Sequence, residues 1–232
     1  MKILSLDTAS DICSVCLLEN DNVLLNKNIN DKKTHSEKLM PLIKEVLDES
    51  NLNLTDIDLL AVNKGPGSFT GIRIGISTVK AFSDTLNIPA LGISSLESLA
   101  NNINLTGLVA VLIDAKNDNV YYGLFKKQEN LYIPIGDFLA EHISVVLDSL
   151  SNFSEKITFL GNGSIIHKDL LHNKLKENSI FLDEKYSIPN AISIGKSAYY
   201  HFIKTDIKNC NLSPMYLKKS QAERALEDSH GN

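Results

Sequence analysis

Apolar and polar positions change period repeatedly along the first hundred residues, and each change predicts an element. Residues 2–6, 12–19 and 23–28 carry apolar runs separated by short polar turns, the pattern of a three-stranded meander. From His35 the period lengthens, with Leu39, Leu42, Ile43, Val46 and Leu47 on one helical stripe behind Thr34 and Glu37 at capping-box spacing. Met40 and Leu47 lie toward the flank of this stripe, leaving apolar surface for a second contact, and Pro41 removes a backbone donor and predicts a kink. Residues 57–62 return to a strand, and Ile72, Ile76, Val79 and Leu86 restore the helical spacing. A strand at 90–93 and a helix opened by Ser94 and Glu97, again at capping-box spacing, close this half.

The second half repeats the first. Laying residues 110–120 over residues 3–13 superposes Asp114 on Asp7 and Asp118 on Asp11 without a gap. Each copy reads as an apolar strand, an aspartate, a short polar turn and a second apolar strand, a hairpin with a carboxylate at its mouth. The repeat predicts a duplicated α/β molecule, with a first lobe over 1–103, a smaller second lobe over 104–212 and a partly mobile tail over 213–232. Asn101 to Asn104 read as the connection. Within the second lobe, residues 120–125 continue the hairpin, 157–160 form a strand, and 141–150, 165–176 and 190–204 read as helices. The charged stretch from Gln221 is expected to be mobile.

Candidate chemistry concentrates between the strand at 57–62 and the helix that follows, where Asn63 to Arg73 crowd glycine, proline and hydroxyls. Gly65 and Gly67 permit positive φ and close backbone approach, and the free N–H groups of a helix start can hold an anion. The same residues equally fit a tight turn capped by Ser68 or Thr70, and they match neither G-x-x-x-x-G-K-[ST] nor G-x-G-x-x-G. Gly161-Asn162-Gly163 is a weaker signal, a plain turn or a phosphate-side loop. Gly71, Gly75 and Thr78 recur about one turn apart and make a small-residue face, suited to close approach either by the chain's own first helix or by a partner.

Composition narrows the class. A chain of 232 residues with 43% hydrophobic content is long enough for one large or two modest domains, each with its own core. No stretch reaches the ~18 apolar residues of a membrane helix, and the start is expected to run directly into a strand without a secretion signal, which predicts a cytoplasmic protein. A net charge of −5 argues against this chain alone wrapping a nucleic acid, because cationic side chains supply most non-specific affinity for phosphate. Cys13, Cys16 and Cys210 do not form a disulfide framework. Cys13 and Cys16, three apart on a strand, point to opposite faces and are expected to pack in the core.

Five ordered motifs then resemble one family: L-D-T-A-S at Leu6 to Ser10, H-S-E-K-L-M-P-L-I at His35 to Ile43, G-P-G-S-F-T-G-I-R-I-G at Gly65 to Gly75, G-I-S-S-L-E at Gly92 to Glu97, and I-D-A-K at Ile113 to Lys116. Together they look like the bacterial TsaB (YeaZ) family, with weaker likeness continuing through Gly161 to Ser164 and Ser213 to Leu217. The resemblance implies the two-lobed actin/Hsp70-like (ribonuclease H-like) duplicated fold, with mixed sheets flanked by helices. It also implies a non-catalytic partner of TsaD, the enzyme that forms N6-threonylcarbamoyladenosine at position 37 of tRNAs reading codons that start with A.

That superfamily grips phosphates and a metal-bound water through paired Asp-x-Gly hairpins. Here the third positions are Ala9 and Lys116, so Asp7, Thr8, Gly65, Gly67, Ser68, Thr70, Asp114, Gly161 and Gly163 would form degenerate phosphate loops. Catalytic relatives place two histidines four apart on the first helix; here Leu39 follows His35, so no catalytic residue and no metal ligand set is expected. The resemblance further implies a docking face for TsaD and for self-association at His35, Leu39, Met40, Ile43, Leu47, Gly71, Arg73, Gly75, Thr78 and Phe82. TsaE, an ATPase, would join near the junction and tRNA only through the complex, with no cofactor required by this chain and ATP or ADP used in the assembly. The alternative is a small-molecule kinase or ATPase working in the cleft between the lobes. A peptidase reading has neither a zinc pair nor a triad pattern here.

Overall fold

The computed structural model describes residues 1–31, 33–204 and 212–218. The first lobe holds β1 (Lys2–Asp7), β2 (Cys13–Glu19), β3 (Asn22–Ile29), α1 (His35–Glu49), β4 (Leu59–Asn63), α2 (Phe69–Leu86), β5 (Ala90–Ile93) and α3 (Ser95–Ala100). The second holds β6 (Leu108–Asp114), β7 (Asn119–Gln128), β8 (Leu131–Pro134), β9 (Leu139–His142), α4 (Ile143–Leu150), β10 (Ile157–Leu160), α5 (Asn162–Ile166), α6 (Lys168–Leu175) and β11 (Ser179–Phe181), after which comes α7 (Ala191–Lys204).

The duplication is complete at the level of topology. The first sheet runs β3-β2-β1-β4-β5, and the second runs β8-β7-β6-β10-β11 with β9 also paired to β7. In each, an antiparallel meander is extended by two parallel strands. β8 and β9 together fill the place of β3, interrupted after Pro134. Beyond the aspartates the gapless superposition fails. Asp7 pairs with Ser14, but Asp114 pairs with Val120, so the second turn is one residue shorter and Asp118 has no true counterpart in Asp11.

Alternation explains how β1 is buried on both faces. Leu4 and Leu6 join Val15, Leu17 and the apolar stripes of α1 and α2 on one side. Ile3 joins Cys16, Leu18, Ala191, Ile194 and Ala198 on the other. Cys13 belongs to the first cluster and Cys16 to the second, as period 2 requires, and burial pushes their thiols up to about 11 and about 12. Cys210 lies outside the described residues. α1 opens with the capping box of Thr34 and Glu37 and runs unbroken through Pro41.

Sequence order misplaces two helices. α7, expected in the second lobe, packs its Ala191, Ile194 and Ala198 against the first sheet, while Leu96, Leu99 and Ala100 of α3 pack on Val109, Val111 and Phe125 of the second. Each lobe is therefore completed by a helix from beyond its own stretch, and a cut at 103/104 or 212/213 does not separate two self-contained units. The helix expected at 165–176 divides at His167 into α5 and α6, and α4 begins only after β9. Leu212, expected at the end of the second lobe, packs on the first-lobe core, and Met215 and Leu217, expected in a partly mobile tail over 213–232, are docked on the body; the stretch from Gln221 lies outside the described residues.

Candidate interlobe site and docking face

The first aspartate turn is closed on itself. Asp7 sits at the end of β1 with 1% exposure, and its Oδ1 accepts from the Ala9 N–H at 2.9 Å and from Asn63 Nδ2 at 3.1 Å. Burial pushes its carboxyl up to about 6, against the lowering effect of those two bonds, and Oδ2 has no protein partner. Asn63 Oδ1 in turn accepts from the Gly65 N–H at 2.9 Å and the Ser95 hydroxyl at 2.8 Å, tying β1, β4 and the start of α3 together. Thr8 is fully buried and donates to the Gly71 carbonyl at 2.7 Å.

The glycines of the long loop serve this turn. A Cβ on Gly67 would stand 2.3 Å from the Ala9 carbonyl oxygen, and one on Gly71 1.9 Å from that of Thr8. One on Gly75 would stand 2.5 Å from Thr8 Oγ1 and 3.1 Å from Val62. α2 can cross the β1–β2 turn only because these side chains are absent. Gly65 holds φ +99°, and Ser68, not Thr70, caps α2 by accepting from the Gly71 N–H at 3.2 Å. The loop is thus a capped turn from β4 into α2, with Gly67 and Ser68 left facing the space between the lobes.

The second aspartate turn is closed differently. Burial raises the Asp114 carboxyl, but bonds from Lys116 outweigh that and hold it below the usual carboxylate range. Lys116 Nζ lies 2.7 Å from Oδ2, and the Lys116 N–H donates to Oδ1 at 2.9 Å. The Asp114 N–H donates to Asn162 Oδ1 at 3.0 Å. Gly161 and Gly163 press on the Leu112 carbonyl, where a Cβ would stand 2.2 and 2.9 Å away.

Between the two turns lies a cavity of about 920 Å³. The first lobe contributes Ala9, Ser10, Pro66, Gly67 and Ser68, the second Asp114, Lys116 and Asn162, and the docked segment Met215 to Lys218. Of the residues expected in phosphate loops, Gly67, Ser68 and Asp114 face the cavity; Asp7, Thr8, Gly65, Gly161 and Gly163 are buried behind it. Thr70 is exposed outside its lining. Asn162, Phe69 and Tyr216 were not expected at the site. The Ser213 to Leu217 motif was the only signal for Tyr216, and nothing local says where that motif docks.

The expected docking face is likewise divided. Leu39, Ile43 and Leu47 belong to the first-lobe core, and Gly71 and Gly75 are buried against Thr8, so these five form no outward surface. His35 is half-buried, donating from Nε2 to the Ser10 carbonyl at 2.7 Å, and Phe82 packs on the core rim. Thr78 is partly exposed and donates to the Ile74 carbonyl at 2.9 Å. Met40 is half exposed, and Arg73 is exposed but bonded through Nε to the Tyr216 hydroxyl. Among the described residues no group of three or more His, Cys, Asp or Glu side chains is arranged to hold a metal ion. None of the described helices is long and apolar enough to cross a membrane.

A family model described as "TsaD: tRNA N6-adenosine threonylcarbamoyltransferase" matches residues 22–226. The chain is 32% identical to the tRNA threonylcarbamoyladenosine biosynthesis protein TsaB of Bacillus subtilis over 75% of its own length and 77% of that protein. It is 34% identical to the TsaB of Buchnera aphidicola subsp. Schizaphis graminum, over 83% of its own length and 90% of that one. Among solved structures, YeaZ from Pseudomonas aeruginosa superposes with a TM-score of 0.77 at 26% identity, covering 93% of this chain and 99% of that one. These likenesses in sequence and fold agree: the chain belongs to the TsaB (YeaZ) family.

Proposed function

We propose that this protein acts in the formation of N6-threonylcarbamoyladenosine on tRNA as a non-catalytic partner and activator of TsaD. The reading rests on one observation above the others: neither aspartate turn presents a free carboxylate to the cleft. Asp7 is turned inward to Ala9 and Asn63, and Asp114 is paired with Lys116. Asp7 keeps its remaining oxygen buried behind the cavity and Asp114 is neutralised by an ammonium, so both are poorly placed to hold a metal-bound water or a phosphoryl group, which weakens the kinase or ATPase alternative. The modified base would be adenosine 37 of tRNAs reading codons that begin with A. TsaD would carry the chemistry, TsaE would supply ATPase action at the junction, and tRNA would meet this chain only through the complex.

The proposed docking face is the outer side of α1 and α2 around Met40, Arg73 and Thr78, which is also where the chain would self-associate without TsaD. The test is reconstitution. TsaD supplied with tRNA and threonylcarbamoyl-adenylate should form the modified nucleoside, read by mass spectrometry of digested tRNA, at least tenfold faster when this chain is added. The chain alone should turn over neither tRNA nor ATP. Equal modification without it, or ATP hydrolysis by the pure protein that disappears in Asp7→Ala, would overturn the proposal.

A further inference from the structure

Residues 212–218 touch both lobes within seven positions. Leu212 packs against the first-lobe core, and the Met215 N–H donates to the Lys64 carbonyl at 2.7 Å. The Tyr216 ring stacks on Phe69 with centroids 4.6 Å apart and planes at 25°, while its hydroxyl accepts from Arg73 Nε at 2.8 Å. The Arg73 guanidinium itself lies 3.9 Å from the Phe69 ring centroid. On the other side, Leu217 packs into the cluster of Val109, Val111, Phe125 and Leu160 beneath α3, and Lys218 Nζ donates to the Ala115 carbonyl at 2.9 Å.

The spacing constrains the lobes. Met215 and Lys218 are three residues apart, so at most about 10 Å of backbone separates the group bonded to the first-lobe loop from the residue bonded to the second-lobe turn. The same residues, Met215 to Lys218, form one wall of the cavity between the two turns. The cavity offers no buried, unpartnered side chain aimed into it, so nothing at the site speaks for a particular ligand. What its walls do record is a covalent segment spanning both halves.

We propose that residues 212–218 are a clasp that holds the two lobes at one fixed separation, so that the cleft, which could otherwise open and close, is locked at its present width. This inference does not depend on the role with TsaD. The stack of Tyr216 on Phe69 and the seating of Leu217 are the two closures, one on each lobe, with the Lys218 ammonium extending the second to the tip of the β6–β7 turn.

Hydrogen–deuterium exchange on the full chain tests it. A Tyr216→Ala/Leu217→Ala double variant should exchange at least tenfold faster in peptides covering 63–69 and 115–119, which lie on opposite sides of the cleft, while β1 and β6 keep their protection. Small-angle scattering should show a larger radius of gyration. Lys218→Met, which keeps the length of the side chain and removes its charge, should speed exchange at 115–119 by about twofold or more and leave 63–69 unchanged. Faster exchange confined to 212–218, with both cleft loops and the radius unchanged, would overturn the clasp, since the segment would then merely lie on the body. Loss of protection throughout β1 and β6 in the double variant would overturn it as well, by making the segment part of the core. An unchanged 115–119 in Lys218→Met would refute the second closure on its own.

Discussion

At the scale of single residues, Asp7 is the position whose environment departs furthest from what a solvated aspartate would meet. Its Oδ1 is doubly bonded and its Oδ2 is buried without a protein partner, so the folded protein prefers the protonated form, and the carboxyl rises from 3.8 to about 6. A group bound more tightly to its proton in the folded state adds stability below its unfolded pKa and loses it as pH climbs through the folded one. For Asp7 that loss falls between about pH 4 and pH 6, and a shift of this size corresponds to at most ~3 kcal/mol. Asp7→Asn keeps an acceptor for Ala9 and Asn63 and removes the titration. Its melting temperature relative to the natural protein should therefore rise between pH 4 and pH 6 and level off above. A difference that stays flat across this range, measured by thermal melts in matched buffers, would show that Asp7 is hydrated in the fold. The carboxylate expected at the mouth of a phosphate loop is thus an internal cap of its own turn.

Elements show why some of this was legible in the sequence and some was not. The strands β1, β2, β4, β5 and β10 and the helices α1 and α2 follow from local periodicity and caps, because each buries a stripe or a face that its own residues mark. β8 and β9 gave no such signal, being short segments made extended by pairing to β7. The small-residue face of α2 was visible, but its destination was not. Distance decides here: Gly71 and Gly75 meet Thr8, more than sixty residues earlier in the chain, in contact too close for any side chain. Gly75→Ala should accordingly lower stability by up to ~2 kcal/mol, the ~1–3 kcal/mol cost of overpacking Thr8 Oγ1 and Val62 less the ~1 kcal/mol by which alanine favours a helix. Its binding to TsaD, per folded molecule, should be unchanged. Gly71→Ala should cost more, since a backbone carbonyl rather than a hydroxyl stands in the way. If calorimetry finds Gly75→Ala as stable as the natural protein while association weakens in sedimentation, the helix face is an interface after all.

For the whole molecule, the exchange of α3 and α7 between lobes matters most, because it makes a seam of polar contacts carry the join. Asn102 bonds with Asn190 Nδ2 at 3.0 Å and with the Ser193 hydroxyl, and Asn101 Nδ2 donates to Ser197 Oγ at 3.0 Å. Further along, His201 Nε2 of α7 meets Glu97 Oε1 of α3 at 2.5 Å. No stretch of local sequence announces this seam; Asn101 and Ser197, for instance, meet across 96 positions. The Glu97 hydrogen bond raises the His201 pKa above its ordinary 6.5, outweighing burial and the nearby cations Lys64 and Lys204, which lower it. A histidine shifted upward by folding stabilises fully below its unfolded pKa, and that contribution fades as pH rises through the folded value. The imidazole is 37% exposed, so solvent screening limits the pair to about 1 kcal/mol or less. We therefore expect the His201 ring resonances, followed by NMR, to titrate above 6.5 in the natural protein and at lower pH in Glu97→Gln. The stability difference between the two proteins should shrink from pH 6 to pH 8. Identical titrations would mean that the charge of Glu97 does not reach the ring in solution, leaving the asparagine and serine contacts to hold the lobes together at this seam.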